Sequence, residues 1–397
     1  MAQARTILIA GAGIGGLTAA LALARNGLRV TICEQAEVLG DAGAGIQLSP
    51  NATRVLNTLG VGQRLTDVAV VPDGVSIRQA RSGDEIIFMT LGQAVKYRYG
   101  APYWSVHRGD LQAALLASIA DEPAITLKLG TAIEDFSTHP DGVTAEVRTP
   151  QGIRQETADA LIGADGLWSA TRAKLGDASK PRFRDRTAWR AMVPAAELPA
   201  AFQRRVTFLW LGRNAHLVHY PVRGGTLINI VAIVRDRWHE PGWSAPGDRE
   251  ELLRRFDATD WAPDARQLLQ QPESWSKWAL FDRKDGGFPG QGPATLLGDA
   301  AHPMLPFLAQ GAAMAIEDAA VLARCLELPG VTPAAAMRRY ESLRSDRVRR
   351  VQAAARANGR TYHLSGPPAL GRNLGMRWLG GERLRTRYDW LYDWRPD

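Results

Sequence analysis

The feature that most constrains the fold is a glycine-rich segment near the start of the chain, TILIAGAGIGGLTAALALARNGLRVTICEQ, residues 6–35. TILIA is typical of a buried parallel strand, and the run after the glycines is rich in helix formers up to Gly27. Between them, Gly11, Gly13 and Gly16 have the spacing G-x-G-x-x-G. Gly11 permits a tight turn, Gly13 lets a phosphate approach the backbone, and Gly16 lets the helix pack on the strand. The segment therefore predicts a β-α-β unit with an anion site at the start of its helix.

An acidic residue after the second strand, RVTIC, strengthens this interpretation. Glu34 can accept hydrogen bonds from ribose hydroxyls while the helix N-terminus binds a pyrophosphate. Because strand, glycines, helix, strand and acid come in this order, the segment predicts dinucleotide binding. The predicted contacts are Gly11, Gly13, Gly15, Gly16, Glu34 and Gln35. The alternative is a glycine-rich packing turn, and the motif alone does not distinguish NAD from FAD.

Length and composition narrow the class of protein. A chain of 397 residues that is 45% hydrophobic and 22% charged is typical of a globular protein with two domains, or with one domain that carries a large insertion. Its two cysteines, Cys33 and Cys325, have neither a disulfide pattern nor metal-ligand spacing, so we expect a reducing cytoplasm and no metal. The apolar run 7–24 is short and rich in glycine, so no membrane association is expected.

The net charge of +7 owes much to a late basic stretch, residues 338–360. This stretch also contains Glu341 and Asp346, which favours a solvated helix face. We expect no nucleic-acid binding, because no nucleic-acid fold signature accompanies the charge. The tail alternates arginine with tryptophan and tyrosine, and we expect it to pack on the body or on a second subunit. A homodimer is compatible with that expectation.

Three further motifs follow the glycine-rich segment. VHRGDLQAALLASI predicts a helix with Arg108 at its start. GADGLWSATR follows a strand and puts Asp165 at a turn before a short helix. LLGDAAHP repeats this arrangement with Asp299, and the next helix is predicted to begin near Gly311. Each motif has a structural alternative: a surface arginine, an aspartate that caps a turn, and a core helix that starts at a glycine.

In this order, the four motifs resemble those of the single-component FAD-dependent aromatic hydroxylases, flavoprotein monooxygenases with the para-hydroxybenzoate hydroxylase fold. The resemblance extends over most of the chain. It implies an α/β fold: a Rossmann-like FAD-binding domain, an inserted and mostly antiparallel β-sheet substrate domain, and C-terminal helices. Such enzymes carry no second Rossmann site for NAD(P)H, and the sequence contains no second G-x-G-x-x-G.

The resemblance also implies cofactor contacts outside the glycine-rich segment. These are Gln47, Arg108, Asp165, Asp299, Gly311 and Ala312. Arg108 would contact the flavin nucleotide and Asp299 would hydrogen-bond the ribityl chain. Asp165 would serve both FAD and the passing NAD(P)H. The helix that starts at Gly311 would aim its N-terminus at the flavin ring and stabilise the negative charge of the reduced form.

The region from residue 181 to 284 has the alternating pattern of antiparallel strands, as in RRVTFLWLG, AHLVHYPVRGG and TLINIVAIVRD. In HLVHYP, alternation puts His216, Val218 and Tyr220 on one face and His219 on the other. A neutral histidine, with an ordinary pKa of about 6.5, can remove the proton of a phenol, and a tyrosine can relay a proton or orient the ring. His216 and Tyr220 are therefore the predicted catalytic residues, and a purely structural pair is the alternative.

The resemblance implies a reaction that uses FAD, consumes NAD(P)H and O2, and hydroxylates a small hydroxylated aromatic acid through a flavin hydroperoxide. The H-x-x-x-Y-P spacing is similar to that of enzymes acting on 3-hydroxybenzoate, salicylate and 6-hydroxynicotinate. Pro306 stands where some 3-hydroxybenzoate enzymes have glutamine, and Gln47 where 6-hydroxynicotinate enzymes have histidine, so a salicylate-like acid is the preferred substrate. The alternatives are 3-hydroxybenzoate 6-hydroxylase activity, 6-hydroxynicotinate 3-monooxygenase activity and a non-catalytic flavin-binding module.

The predicted domains are discontinuous, because the parallel β-α-β pattern is interrupted by short alternating strands. The FAD-binding domain comprises residues 1–70, 101–180 and 285–330. The substrate-binding β-sheet domain comprises residues 71–100 and 181–284, and residues 331–397 form a C-terminal helical region and tail.

Overall fold

The computed structural model describes residues 5–40, 43–239, 244–283 and 287–396. The strands are β1 Thr6–Ala10, β2 Arg29–Cys33, β3 Gly45–Leu48, β4 Gly74–Gln79, β5 Glu85–Thr90, β6 Trp104–His107, β7 Ile125–Lys128, β8 Ala132–His139, β9 Gly142–Thr149, β10 Gly152–Ala158, β11 Ala160–Gly163, β12 Arg182–Pro194, β13 Val206–Gly212, β14 Ala215–Val222, β15 Leu227–Arg235, β16 Ser244–Gly247, β17 Trp275–Asp282 and β18 Ala294–Leu296. The α-helices are α1 Ile14–Arg25, α2 Pro50–Thr58, α3 Gly92–Tyr99, α4 Arg108–Ala120, α5 Ala170–Lys174, α6 Arg249–Arg255, α7 Pro263–Gln270, α8 Gly311–Glu327, α9 Pro333–Tyr362, α10 Gly366–Thr386 and α11 Asp389–Tyr392. Of the helices in these ranges, none is long and apolar enough to cross a membrane.

Five strands form a parallel sheet in the order β18-β11-β1-β2-β7. The apolar β1 lies in its centre, and its inner residues are buried by pairing with β11 and β2. The glycine-rich loop follows β1, Glu34 follows β2, Asp165 follows β11 and Asp299 follows β18. Because the carboxyl ends of parallel strands lie at one edge of a sheet, the glycine-rich loop, Glu34, Asp165 and Asp299 meet at the same edge.

A second, eight-stranded sheet has the order β16-β17-β12-β15-β14-β13-β4-β5. Strands β4 and β5 come from the range 71–100, and the other six come from the range 181–284. The pairs are antiparallel except for β13 and β4, which run parallel, so the expectation of mostly antiparallel pairing holds with one exception. One face of this sheet packs on α6 and α7 through a core that includes Trp189, Trp210 and Phe256.

The C-terminal helices return to the body of the chain. The expectation of a solvated face for the basic stretch is wrong for Arg344, which lies on α9 and is 1% exposed. Burial of the arginine is possible because two acidic side chains of α8 receive its hydrogen bonds. The tail packs on the same region, since the guanidinium groups of Arg344 and Arg347 lie over the ring of Trp394 at 5.5 and 5.2 Å.

These two acidic side chains, Glu317 and Asp318, are fully buried. Arg344 donates from Nη1 to Glu317 Oε2 at 2.7 Å and from Nε to Asp318 Oδ1 at 2.6 Å. Asp318 Oδ2 accepts from the Gly298 backbone N–H at 3.1 Å and lies 2.5 Å from His302 Nε2. Burial opposes ionisation of Asp318, but His302 and Arg344 outweigh it and hold the pKa below its ordinary value. The network thereby ties α8 and α9 to the turn that carries Asp299.

Candidate active site

The glycine-rich loop is shaped so that only one of its glycines leaves room for a ligand. Gly11 has φ 102, and a Cβ at Gly16 would lie 2.0 Å from the carbonyl oxygen of Gly11. A Cβ at Gly15 would lie 2.6 Å from the Leu297 side chain. A Cβ at Gly13 would meet nothing within 4 Å. Three glycines are therefore required by packing, whereas Gly13 borders open space at the N-terminus of α1.

The surroundings of α1 suit an anionic group with a ribose beside it. Gly13 is the N-cap residue and provides no side-chain cap, and the first turn contains no acidic residue. Glu34 Oε2 accepts from the Ala12 N–H at 2.7 Å, and its Oε1 accepts from the Ala36 N–H at 2.9 Å. These bonds hold the carboxylate next to the glycine-rich loop. Gln35 is exposed at the end of β2.

The turn that carries Asp299 is fixed by the backbone conformation of Gly298 and by hydrogen bonds from Arg172. Gly298 has φ 61, which favours glycine, and Arg172 Nη1 donates to the carbonyl oxygens of Ala300 and Ala301 at 3.0 and 2.8 Å. The Asp299 side chain is accessible to water and yet surrounded by protein atoms, which raise its pKa. That combination is expected at the floor of a cleft.

The N-terminus of α8 lies close to this turn and is open. Gly311 and Ala312 are half-buried, and a Cβ at Gly311 would meet only Met304, at 4.0 Å. The N-cap residue Gln310 does not cap the helix, because its amide donates to Ser49 Oγ at 2.8 Å. A helix of 17 residues with free first-turn N–H groups stabilises a negative charge placed before it.

Arg108 and Gln47 lie between the two sheets. Arg108 begins α4, and its charge acts on Asp299 and on Arg190. Gln47 donates from Nε2 to Thr207 Oγ1 at 3.0 Å and accepts from the Tyr103 hydroxyl at 3.3 Å. Its amide thus joins β3 to the eight-stranded sheet, and both of its polar atoms already have partners.

Asp165 has the contacts of a local cap. Its Oδ1 accepts from Ser169 Oγ at 2.5 Å, and its Oδ2 accepts from the Thr171 N–H at 3.0 Å and from Thr171 Oγ1 at 2.9 Å. These bonds correspond to the structural alternative considered for this motif, the aspartate that caps a β-α turn. A direct role of Asp165 toward FAD or NAD(P)H stays a prediction.

The strand β14 alternates as predicted. His216 and Tyr220 lie on one face and are 2% and 5% exposed. The ring of His216 contacts Phe307, in the loop before α8, with centroids 5.5 Å apart. Tyr220 packs against Gly45, where an added Cβ would lie 2.9 Å from its ring. Burial raises the pKa of Tyr220, so it is a neutral hydroxyl at ordinary pH.

Sequence reasoning missed three basic residues near this face. His363, at the end of α9, hydrogen-bonds His216, and Arg186 hydrogen-bonds His363. Arg190 on β12 interacts electrostatically with Tyr220 and Arg108, and its buried Nε has no hydrogen-bond partner in the described chain. A half-buried guanidinium group whose buried Nε has no partner suits an anionic group of a ligand. No sequence motif indicates these residues, because only the fold brings them together.

Comparisons with known proteins agree with this geometry. A family model described as FAD binding domain matches residues 4–355. A 3-hydroxybenzoate 6-hydroxylase of Klebsiella oxytoca is 38% identical over 398 residues, covering 100% of this chain and 98% of that protein. A 3-amino-4-hydroxybenzoate 2-monooxygenase of Streptomyces platensis is 41% identical over 389 residues, covering 97% of this chain and 95% of that protein. The chain belongs to the FAD-dependent aromatic hydroxylases.

Solved structures share the fold of the hydroxylase. A salicylate hydroxylase substrate complex has a TM-score of 0.83 at 27% identity, covering 99% of this chain and 96% of that one. Klebsiella pneumoniae HpxO, complexed with FAD and uric acid, has a TM-score of 0.84 at 26% identity, covering 96% and 95%. The predicted α/β fold class and FAD dependence are confirmed. The names of the curated relatives favour the 3-hydroxybenzoate alternative over the salicylate-like acid that sequence reasoning preferred.

The edge of the parallel sheet fits FAD. The open side of Gly13 and the free N-terminus of α1 suit the pyrophosphate, and the carboxylate of Glu34 beside the loop suits a ribose. Asp299 and the N-terminus of α8 suit the opposite, flavin end. The hydroxylase therefore offers polar groups at both ends of one extended cofactor.

His219, on the opposite face of β14, allows a stability prediction. It is 1% exposed, stacks on Phe208 with centroids 4.5 Å apart, and both ring nitrogens lack hydrogen-bond partners in the described chain. Burial lowers its pKa to about 3. Below the unfolded pKa of about 6.5 the unfolded state binds a proton that the folded state does not, so His219 costs about 1.4 kcal/mol of stability per pH unit down to its folded pKa.

We expect His219→Leu to keep the free energy of unfolding at pH 7.5 or to raise it by about 1 kcal/mol, since two unpaired polar atoms leave the core. Between pH 6.5 and pH 5 the variant should lose less stability than the wild type. Urea unfolding at these pH values measures both effects. An unchanged slope of stability against pH would show that His219 is not a buried neutral group.

Proposed function

We propose that the hydroxylase uses NAD(P)H and O2 to hydroxylate a hydroxylated benzoate, with 3-hydroxybenzoate as the foremost substrate. The observation that carries the proposal is the pairing of His216 and Tyr220 on the sheet face next to the loop before α8. The printed names of full-length relatives that act on 3-hydroxybenzoate and 3-amino-4-hydroxybenzoate support this class of acid.

The residues that would hold FAD are Gly11, Gly13, Glu34, Arg108, Asp299, Gly311 and Ala312. When bound, FAD supplies the redox chemistry and oxygen activation that side chains lack. The N-terminus of α8 would favour the anionic form of the reduced cofactor. The protein's own contribution is to orient the aromatic acid and to keep water away from it.

The basic groups around Tyr220 suit the substrate carboxylate. Arg190 lies near Tyr220 and Arg108, and its guanidinium group is 5.6 Å from the Trp278 ring. In a buried environment a guanidinium group binds a carboxylate strongly. His216 is four residues from Tyr220, which corresponds to about 13 Å along a strand, so two side chains can contact opposite ends of one small acid. The substrate hydroxyl would then lie at His216 and the carboxylate at Arg190 and Tyr220.

The direct test is oxidation of NADH and NADPH by the FAD-loaded protein with several acids added in turn. They are 3-hydroxybenzoate, 3-amino-4-hydroxybenzoate, salicylate and 6-hydroxynicotinate, with benzoate as the control that lacks a hydroxyl. We expect stimulation by 3-hydroxybenzoate and a product that mass spectrometry identifies as a dihydroxybenzoate. If only salicylate or only 6-hydroxynicotinate stimulates NAD(P)H oxidation and is hydroxylated, that acid replaces 3-hydroxybenzoate as the substrate. If none of the acids gives a hydroxylated product, the proposal is refuted.

His216→Ala tests the site. We expect it to bind FAD normally and to lose product formation by about 100-fold or more, because a polar contact to the reacting ring is removed. His219→Leu is the matched control, since it changes a histidine of the same strand on the opposite face. Equal activity of His216→Ala and the control would remove His216 from the site.

A further inference from the structure

Three basic side chains from separate elements form one hydrogen-bonded row that ends at His216. Arg186 lies on β12, His363 directly follows α9, and His216 lies on β14. Arg186 Nε is 3.0 Å from His363 Nδ1, and His363 Nε2 is 2.7 Å from His216 Nδ1. His216 and His363 are 2% and 8% exposed, so water competes little for these bonds.

The chemistry of arginine sets the direction of the row. A guanidinium group can only donate hydrogen bonds, so His363 Nδ1 must accept from Arg186. The proton of a neutral His363 is then on Nε2, and it points at His216 Nδ1. A neutral His216 that accepts at Nδ1 carries its own proton on Nε2. Every hydrogen bond of the row is therefore donated from Arg186 toward the face of the sheet that carries His216.

Both imidazoles are neutral near pH 7. Burial lowers the pKa of His216 well below its ordinary value, and His363 and Arg186 lower it further. Burial also lowers the pKa of His363 to about 3, with a contribution from Arg186. The remaining rings packed on His216 are those of Phe307 and Tyr362, which carry no charge near neutral pH. The hydrogen bonds from Arg186 through His363 to His216 therefore keep their direction near neutral pH, because none of these groups changes its charge there.

We infer that Arg186 and His363 are positioning residues that make His216 a hydrogen-bond donor toward the substrate. The inference rests on the proposed function, which puts the substrate hydroxyl at His216. With Nδ1 occupied by His363, Nε2–H is the polar group that His216 presents to the phenolic oxygen. A donor at that oxygen favours the phenolate, whose proton is released to solvent as the acid binds, and the ring becomes richer in electrons. This role replaces the expectation that His216 itself removes the proton.

The tautomer is measurable without turnover. Long-range ¹⁵N–¹H correlation spectra of the ¹⁵N-histidine-labelled, FAD-loaded protein distinguish Nδ1–H from Nε2–H, and His216→Ala and His363→Gln assign the signals among seven histidines. We expect Nε2–H at both His216 and His363 from pH 6 to pH 8. A wild-type His216 with its proton on Nδ1 and a free Nε2 would overturn the inference.

Two substitutions of His363 distinguish the direction of its hydrogen bonds from the packing of its side chain. In His363→Gln the amide can donate to His216 and its oxygen can accept from Arg186, so His216 should keep Nε2–H. In His363→Glu the carboxylate accepts from both neighbours, so His216 should carry its proton on Nδ1 and expose a free Nε2. If His363→Glu does not fold, Arg186→Met at a half-buried position removes the donor and should give a mixture of His216 tautomers.

Activity gives the second readout. We expect His363→Gln to stay close to the wild type, and His363→Glu to lose about 100-fold in kcat with KM little changed. The pH at which bound 3-hydroxybenzoate ionises, followed by its ultraviolet difference spectrum, should rise in His363→Glu. Full activity of His363→Glu would overturn the donor role. Wild-type tautomers as expected, without hydroxylation of any acid, would refute the proposed function and leave the tautomer assignment intact.

Discussion

Replacing Arg344 by methionine is expected to lower the free energy of unfolding by about 3 kcal/mol, because two buried carboxylates lose the charged partner that they share, although Glu317 keeps Arg347 and Asp318 keeps His302. Glu317 and Asp318 are fully buried, and Arg344 donates to both at 2.7 and 2.6 Å. Methionine matches the length of the side chain but supplies neither hydrogen bonds nor charge. Urea unfolding at pH 7.5 gives the difference directly.

The same variant should weaken FAD binding, because Asp318 also accepts from the Gly298 N–H next to Asp299. The matched control is Arg349→Met on the same helix, whose exposed pair with Asp346 should contribute at most about 1 kcal/mol. Equal stability of Arg344→Met and Arg349→Met would mean that the buried network adds nothing beyond a surface pair.

Much of the cofactor edge could be predicted from the sequence because each of its motifs is local. The glycine-rich loop, Glu34, Asp165 and Asp299 each follow a strand, and parallel pairing alone brings strand ends together. The alternation of β14 likewise follows from the pleat of a strand. Such features need no knowledge of distant contacts.

The features that could not be predicted from the sequence depend on contacts between distant parts of the chain. His363 lies 147 residues from His216, and no periodicity or spacing links them. The sequence-based preference for salicylate relied partly on Gln47, yet its amide is bonded to Thr207 and Tyr103. That residue therefore takes part in joining two sheets, a contact that no sequence pattern indicates. Burial of Arg344 was missed for the same reason, since its acidic partners lie on another helix.

The second large effect is expected in the glycine-rich loop, where two alanine substitutions three residues apart should differ in their effect on stability. In Gly16→Ala the new Cβ would lie 2.0 Å from the Gly11 carbonyl oxygen, so the loop must move and both stability and FAD binding should be lost. In Gly13→Ala the new Cβ meets no protein atom within 4 Å, and φ of −70 suits alanine.

We therefore expect Gly13→Ala to unfold at the same urea concentration as the wild type when both lack FAD, or slightly later, since alanine lowers the entropy of the unfolded chain. Its FAD affinity should nevertheless fall by about 100-fold, or about 2.7 kcal/mol, because the methyl group fills the space through which the pyrophosphate approaches the backbone. Flavin absorbance of the purified proteins and FAD titration of the apoproteins measure this loss. Normal FAD binding by Gly13→Ala would place the pyrophosphate elsewhere, whereas a destabilised apoprotein would mean that Gly13 is required by packing like its neighbours.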